Sequence, residues 1–134
     1  MARLWLILLA LFVSGCATLV DTPSSIVGFS TRDLEDARAH SVYHSYRCSL
    51  DQCDAAILAF AEKHKYSVFM RDKRCQLTVL MGIPGYVNTT EVGIFLSVVD
   101  GGVRVELSSR SSPAKRAVAL KLFSELAEKF PALE

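Results

Sequence analysis

The strongest constraint on the fold is a hairpin pattern in the second half of the chain. An apolar run over residues 91–99 is followed by Asp100-Gly101-Gly102. The next residues alternate between apolar and polar side chains, with Val103, Val105 and Leu107 as the apolar set. A glycine-rich turn between two such runs favours an antiparallel pair with one buried face. The sequence therefore predicts two paired strands here, and with them an antiparallel sheet.

Similar patterns predict the remaining elements. β-branched and aromatic residues indicate strands at 41–47, 66–71 and 76–81. Ser49 is expected to cap a helix with an apolar stripe at steps of three and four: Leu50, Cys53, Ile57, Phe60 and His64. A last helix, with Ser112 as its cap and Pro113 at its first position, is expected to run through Phe130. A short helix is predicted from about Thr31 to His40.

This order of elements defines the fold class. Leaving the short helix aside, it reads β-α-β-β-β-β-α, which predicts an α+β domain with a mainly antiparallel sheet and helices packed on one face. Residues 31–134 are enough for one such domain and its core. The order and size resemble those of small envelope lipoprotein domains, a likeness that implies no particular function.

The charge balance argues against nucleic acid as a partner. The chain has 15 Lys and Arg against 14 Asp and Glu, and Arg3 is the only charged residue among the first 15. Without those residues the side chains carry 14 charges of each sign. A nucleic-acid-binding domain needs a strong basic excess, so we expect no nucleic-acid partner.

The amino terminus has the parts of a secretory signal peptide over residues 1–15. Arg3 precedes an apolar run from Leu4 to Val13, which is too short to span a membrane as a helix. The tetrad Val13-Ser14-Gly15-Cys16 follows the pattern hydrophobic, small, small, cysteine. It resembles the lipobox of bacterial lipoproteins. That resemblance implies cleavage before Cys16, a diacylglyceryl group on its thiol, and an acylated amino terminus.

The same resemblance implies a place in the cell. An Asp just after the lipidated Cys tends to retain such proteins in the inner membrane, whereas this chain has Ala17. We therefore expect an outer-membrane lipoprotein held by covalent lipid, with its domain facing the periplasm. Residues 16–30 lack a sustained period and contain Pro23 and Gly28, which is typical of a tether.

Three cysteines remain after the predicted lipidation site: Cys48, Cys53 and Cys75. The predicted topology brings the end of the first strand, the start of the next helix and the start of the third strand to one end of the domain. An oxidising compartment favours a disulfide between two of these thiols, and the spacing alone does not choose the pair. Buried unpaired cysteines and a three-thiolate metal site are the alternatives. The metal site would need a fourth ligand, and its nearby imidazole candidates, His40 and His44, lie before the end of the first strand.

The opposite end of the predicted domain holds a candidate interaction surface. It combines the corner at residues 63–66, the loop at residues 82–90 and the segment at residues 108–116. Loop shape, hydrogen-bond donors and positive charge come from one set of residues: Gly85, Tyr86, Asn88, Thr89, Thr90, Arg110 and Lys115. With the start of the last helix, these could hold an anion or contact a protein.

The sequence contains no recognisable catalytic motif. It has no Gly-x-Ser-x-Gly, no His-Glu-x-x-His and no close carboxylate pair on a predicted active face. We therefore expect no catalytic residues, no metal and no cofactor. The sequence favours a non-catalytic structural or protein-interaction module whose partner is an envelope protein. A periplasmic ligand-binding module for an anion or glycan is the alternative.

Overall fold

The computed structural model of the chain describes residues 31–133. The predicted signal peptide, the predicted lipidation site Cys16 and the predicted tether at 16–30 lie outside the described residues. From Asp33 onward the chain forms one compact unit. None of the helices within 31–133 has the length and apolar character needed to cross a membrane.

The order of elements confirms the predicted α+β fold. Helix α1 spans Thr31–Asp36 and continues as a 3-10 helix over Ala37–His40. The two long helices are α2 (Leu50–Lys63) and α3 (Ser112–Lys129). The strands are β1 (Val42–Tyr46), β2 (Ser67–Asp72), β3 (Leu77–Met81), β4 (Val92–Val99) and β5 (Gly102–Ser108). Most bounds differ from the predicted ones by a residue or two.

The starts of the two long helices show why such bounds shift. Ser49 caps α2 as predicted, and its hydroxyl and the Gln52 side chain form a reciprocal capping box. The prediction of Ser112 as the cap of α3 is wrong by one residue. Ser111 is the cap, because its side chain accepts the hydrogen bond from the Ala114 amide. Both serines can play this role, and only the backbone geometry selects between them.

The described strands form a single sheet in the order β1-β5-β4-β3-β2, and every neighbouring pair is antiparallel. β1 and β2 therefore lie at the two edges. The pairings Leu80 with Val92 and Gly93 with Ser108 bring the end of β3, the start of β4 and the end of β5 together. These strand ends form one end of the domain, and the candidate interaction surface lies there.

The main core lies between one face of the sheet and the two long helices. Buried side chains from β3, β4, β5, α2 and α3 form one cluster there, including Phe60, Leu80, Ile94, Val105, Leu122 and Leu126. A smaller cluster lies on the opposite face of the sheet, where Leu34 of α1 packs against Leu77, Val79 and Phe95. The two long helices thus share one face, as predicted, and α1 covers part of the other.

An ion pair holds the segment after α1 against this second face. The guanidinium of Arg38 donates three hydrogen bonds to Glu106, the shortest at 2.9 Å, and lies 4.3 Å from the centre of the Phe95 ring. Ser41 also donates to Glu106, at 2.8 Å. Burial pushes the pKa of Glu106 upward, but the hydrogen bonds from Arg38 and Ser41 outweigh this and leave it below its usual value. Glu106 is therefore a carboxylate at neutral pH.

A disulfide joins the end of β1 to the first turn of α2. It links Cys48 and Cys53, which are five residues apart in sequence. Cys53 is fully buried in the main core. Cys75 takes no part in this disulfide and packs against the smaller cluster, on the other face of the sheet. The prediction of a disulfide is confirmed, and the structure selects its partners.

We predict that reduction destabilises the protein modestly. Because the disulfide closes a short loop, the chain-entropy estimate of its contribution is only about 2 kcal/mol. Urea unfolding with and without a reductant measures the difference. A Cys75→Ser variant serves as the control and should lose the same free energy on reduction, since Cys75 lies outside the bond. A loss that disappears in this variant would show that Cys75 forms the bond instead.

Candidate interaction surface

The candidate surface is built on the loop between β3 and β4. Its backbone closes on itself: the Gly82 amide donates to the Asn88 carbonyl at 3.4 Å, and the Thr90 amide donates to the Val87 carbonyl at 2.8 Å. Gly82 and Gly85 both have positive φ, at 66° and 88°. Glycine reaches this region without strain, whereas a side chain at either position would strain the turn. The loop therefore has a defined shape.

Two side chains fasten the loop to the main core. Ile83 is only 2% exposed and belongs to that core. Tyr86 is partly buried against the same cluster, and its amide donates to the Ile83 carbonyl at 3.1 Å. The residues that follow point outward: Asn88 and Thr89 are exposed, and Thr90 is half-buried. The loop is thus a held protrusion with a polar rim.

Val87 gives this protrusion an apolar tip. Its side chain is 72% exposed, between Tyr86, which packs on the core, and Asn88, whose carbonyl closes the loop. A single exposed apolar residue is ordinary on a protein surface. Here it is presented by a backbone that is fastened on both sides, so little conformational entropy would be lost when a partner buries it.

The structure gives Lys115 a different environment from the one expected for an exposed binding residue. Lys115 is only 5% exposed, and its ammonium group donates a hydrogen bond to the His40 carbonyl. This contact ties the start of α3 to the segment that precedes β1. The ammonium group therefore satisfies a backbone acceptor within the domain and is not presented on the surface.

Arg110 lies at the same end and is paired. Its side chain is 78% exposed, and its guanidinium donates to Asp33 of α1 at 3.2 Å. Glu91, just before β4, is half-buried beside this pair. Burial and the negative charge of Asp33 raise the pKa of Glu91 to about 7, while Arg110 acts in the opposite direction. Two carboxyl groups thus surround the one exposed cation of the predicted set.

His64, at the neighbouring corner after α2, has a structural role. Its Nε2 lies 2.6 Å from a carboxylate oxygen of Glu125 on α3, and Lys63 donates to the same oxygen at 2.9 Å. The His64 ring also contacts Phe60 and stacks on Tyr66. The hydrogen bonds from His64 and Lys63 lower the pKa of Glu125. The contacts of Lys63 and His64 with Glu125 therefore link the two long helices.

Two features of the described residues were not predicted from the sequence. The first is the burial of Lys115. The only sequence signal for this burial is that Lys115 lies in the first turn of a helix, next to the fully buried Ala114. The second is a cavity at the opposite end of β3, between the start of α2 and the β2–β3 hairpin. It depends on contacts between residues far apart in sequence, such as the ion pair of Asp54 with Arg71 17 residues later, which no local pattern signals.

No known protein family matches the chain, and no curated protein is significantly similar to it. The functional argument therefore depends on the residues themselves.

We predict that Glu91 makes stability depend on pH. In the native protein its pKa is raised from 4.5 to about 7, so the native state holds a proton that the unfolded chain has lost. The free energy of unfolding should therefore decrease as pH rises between these values and become level above the native pKa. After allowance for solvent screening, the decrease should be about 1 kcal/mol or less.

A Glu91→Gln variant isolates this contribution, because glutamine resembles the protonated form at every pH. Urea unfolding of both proteins at pH 5 and pH 8 gives the comparison. The variant should gain stability relative to the wild type on going to pH 8. If the two proteins change in parallel, Glu91 does not titrate as stated.

Proposed function

We propose that this protein is a non-catalytic lipoprotein of the outer membrane, whose domain acts in the periplasm as a structural or protein-interaction module. The proposed anchor is Cys16, in the sequence Val13-Ser14-Gly15-Cys16 behind a short apolar run. A single acyl chain binds a membrane only weakly and reversibly, whereas several chains on one residue hold it firmly. Ala17 favours the outer membrane over the inner one.

The disulfide supports a compartment outside the cytoplasm. Disulfides persist where thiols are oxidised, which includes the bacterial periplasm. The Cys48–Cys53 bond connects two elements of the main core, so it belongs to the architecture of the domain. This agrees with an export signal at the amino terminus.

The exposed tip of the β3–β4 loop is the observation that carries the interaction function. Val87 is 72% exposed on a loop that Ile83 and Tyr86 fasten to the core. An apolar residue on a rigid backbone, with the polar side chains of Asn88 and Thr89 beside it, suits the centre and rim of a protein contact. We infer that this tip inserts into a partner protein of the envelope.

The contacts at this end weigh against the alternative of an anion or glycan site. Lys115 donates to a backbone carbonyl, and Arg110 is paired with Asp33. Glu91 adds a second carboxyl group beside that pair. An anion would compete with internal partners for both cations, so contact with a protein is the better explanation of this surface.

The anchor is tested by the intact mass of the protein from the membrane fraction. We expect a mass that matches residues 16–134 plus several acyl chains. A Cys16→Ser variant should lack the acyl mass and leave the membrane fraction. An unacylated wild-type protein, or a mass that starts at another residue, would remove the anchor from the proposal.

The contact is tested by site-specific photocrosslinking in the native cells. A photoreactive amino acid at position 87 should give a discrete crosslinked product with one envelope protein. Position 120 provides the matched control, since Leu120 is an apolar residue of similar exposure, 77%, in the middle of α3. No product at position 87, or the same product from both positions, would contradict a contact through the loop tip.

A further inference from the structure

Residues 33–40 form a strap on the second face of the sheet. This strap contains most of α1 and the whole of the 3-10 helix after it. The main core lies on the other face and, among the residues that the structure describes, takes no side chain from the strap. The strap can therefore leave the sheet without disturbing the packing of α2 and α3 on it.

Leu34 is the apolar anchor of the strap. It is 2% exposed and packs against Leu77, Val79 and Phe95. The fit is close, because a Cβ atom at Gly93 would lie 3.0 Å from the end of the Leu34 side chain. Every other residue of the strap is exposed or half-buried. The apolar burial that holds the strap thus depends mainly on one side chain.

Polar contacts fasten the strap along its whole length to β5, to the segment after β5 and to α3. They join Asp33 to Arg110, Leu34 to Ser108, Arg38 to Glu106 and His40 to Lys115. When the strap leaves as a whole, water can hydrogen-bond to both members of each pair, so the net cost of breaking these contacts is modest.

Release also returns conformational freedom to the chain. Folding fixes the backbone of each residue at a cost in entropy, and residues 33–40 regain that entropy when the strap opens. No strand of the described sheet has to separate, because the strap lies before β1 in the chain. Segments with few buried apolar contacts open separately from the core of a protein. The strap meets this condition.

We propose that the strap is a releasable extension of the membrane tether, which opens as one unit while the sheet and the two long helices stay folded. The consequence for reach rests on the proposed anchor at Cys16, whereas the opening itself does not. Opening adds residues 33–40 to the link between anchor and domain. At roughly 3.4 Å per extended residue, this lengthens the maximum reach by about 27 Å. The domain can then contact a partner farther from the membrane.

The opening is tested by hydrogen exchange of the mature protein, followed at each amide by NMR. The amides of the strap should share one opening constant, about a hundredfold or more larger than that of the amides in β4 and β5. Protection equal to that of β5 would overturn the proposal, because the strap would then open only with the whole domain. A complete lack of protection would also overturn it, because the strap would have no closed state.

A variant in the main core separates the two kinds of opening. Val118 is fully buried there and does not belong to the cluster around Leu34. Val118→Ala should speed the exchange of β4 and β5 about tenfold, as expected for the loss of buried methyl groups, and leave the strap unchanged. An equal increase in the strap would show that its amides exchange through global unfolding, which contradicts the proposal.

A variant that opens the strap permanently provides the converse test. Leu34→Asp places a charge in the apolar cluster, which favours the open state. Its strap amides should lose protection while β4 and β5 stay protected. Ala39→Asp is the matched control, since it adds the same charge at an exposed position of the strap. Loss of protection throughout the domain in Leu34→Asp, or equal effects of both variants, would overturn separate release.

The reach is measured on the acylated protein in vesicles that contain an acceptor-labelled lipid. A donor dye is placed on Lys129→Cys, at the exposed end of α3, in a Cys75→Ser background. Energy transfer should be lower for Leu34→Asp than for the wild type and for Ala39→Asp. Equal transfer in all three bound proteins would overturn the extension. A protein that does not bind the vesicles contradicts the anchor instead, so the two failures are distinguishable.

Discussion

The alternation of side chains along β4 and β5 is the constraint on which the rest of the structure depends. Val92, Ile94 and Leu96 point to one face of the sheet, and so do Val103, Val105 and Leu107 of the neighbouring strand. This continuous apolar face must be covered, and α2 and α3 supply the apolar residues that cover it. Because the side-chain period of a strand is two, a slip of one residue would turn the whole set toward the other face. The register is therefore strongly specified.

The second face of the sheet is covered by a small apolar cluster and a set of polar contacts. Its apolar part is small, with Leu34 of α1 above Leu77, Val79 and Phe95. Beside it, Arg38 joins Glu106 and lies over the Phe95 ring. Breaking this partly buried pair would leave a carboxylate without its main donor, which costs more than the pair itself contributes. The segment from α1 to His40 is thus held on the sheet by the burial of Leu34 together with the polar contacts of Arg38 and Ser41.

The sequence predicted the order of the elements well because that order depends on local patterns. Ser49 followed by an apolar stripe predicts α2, and Asp100-Gly101-Gly102 predicts the last hairpin, from neighbouring residues alone. Contacts between distant residues have no such signal. The pairing of Cys48 with Cys53 could not be chosen from spacing, and the burial of Lys115 depends on a carbonyl 75 residues earlier. A lysine in the first turn of a helix is usually solvated, so its residue type misleads.

The β3–β4 loop and the cavity beside α2 lie at opposite ends of β3, and the disulfide lies at the same end as the cavity. The cavity includes Leu77, at the start of the strand, whereas the loop begins after Met81 at its end. Five residues of strand span about 16 Å, and sites this far apart with no shared partner behave independently. The disulfide belongs to the cavity end. Cys53 lies in the first turn of α2 between Asp51 and Asp54, so the Cys48–Cys53 bond holds the helical wall of the cavity in place. The bond between these two cysteines therefore stabilises a wall of the cavity, whereas the shape of the loop depends on its own glycines and core contacts.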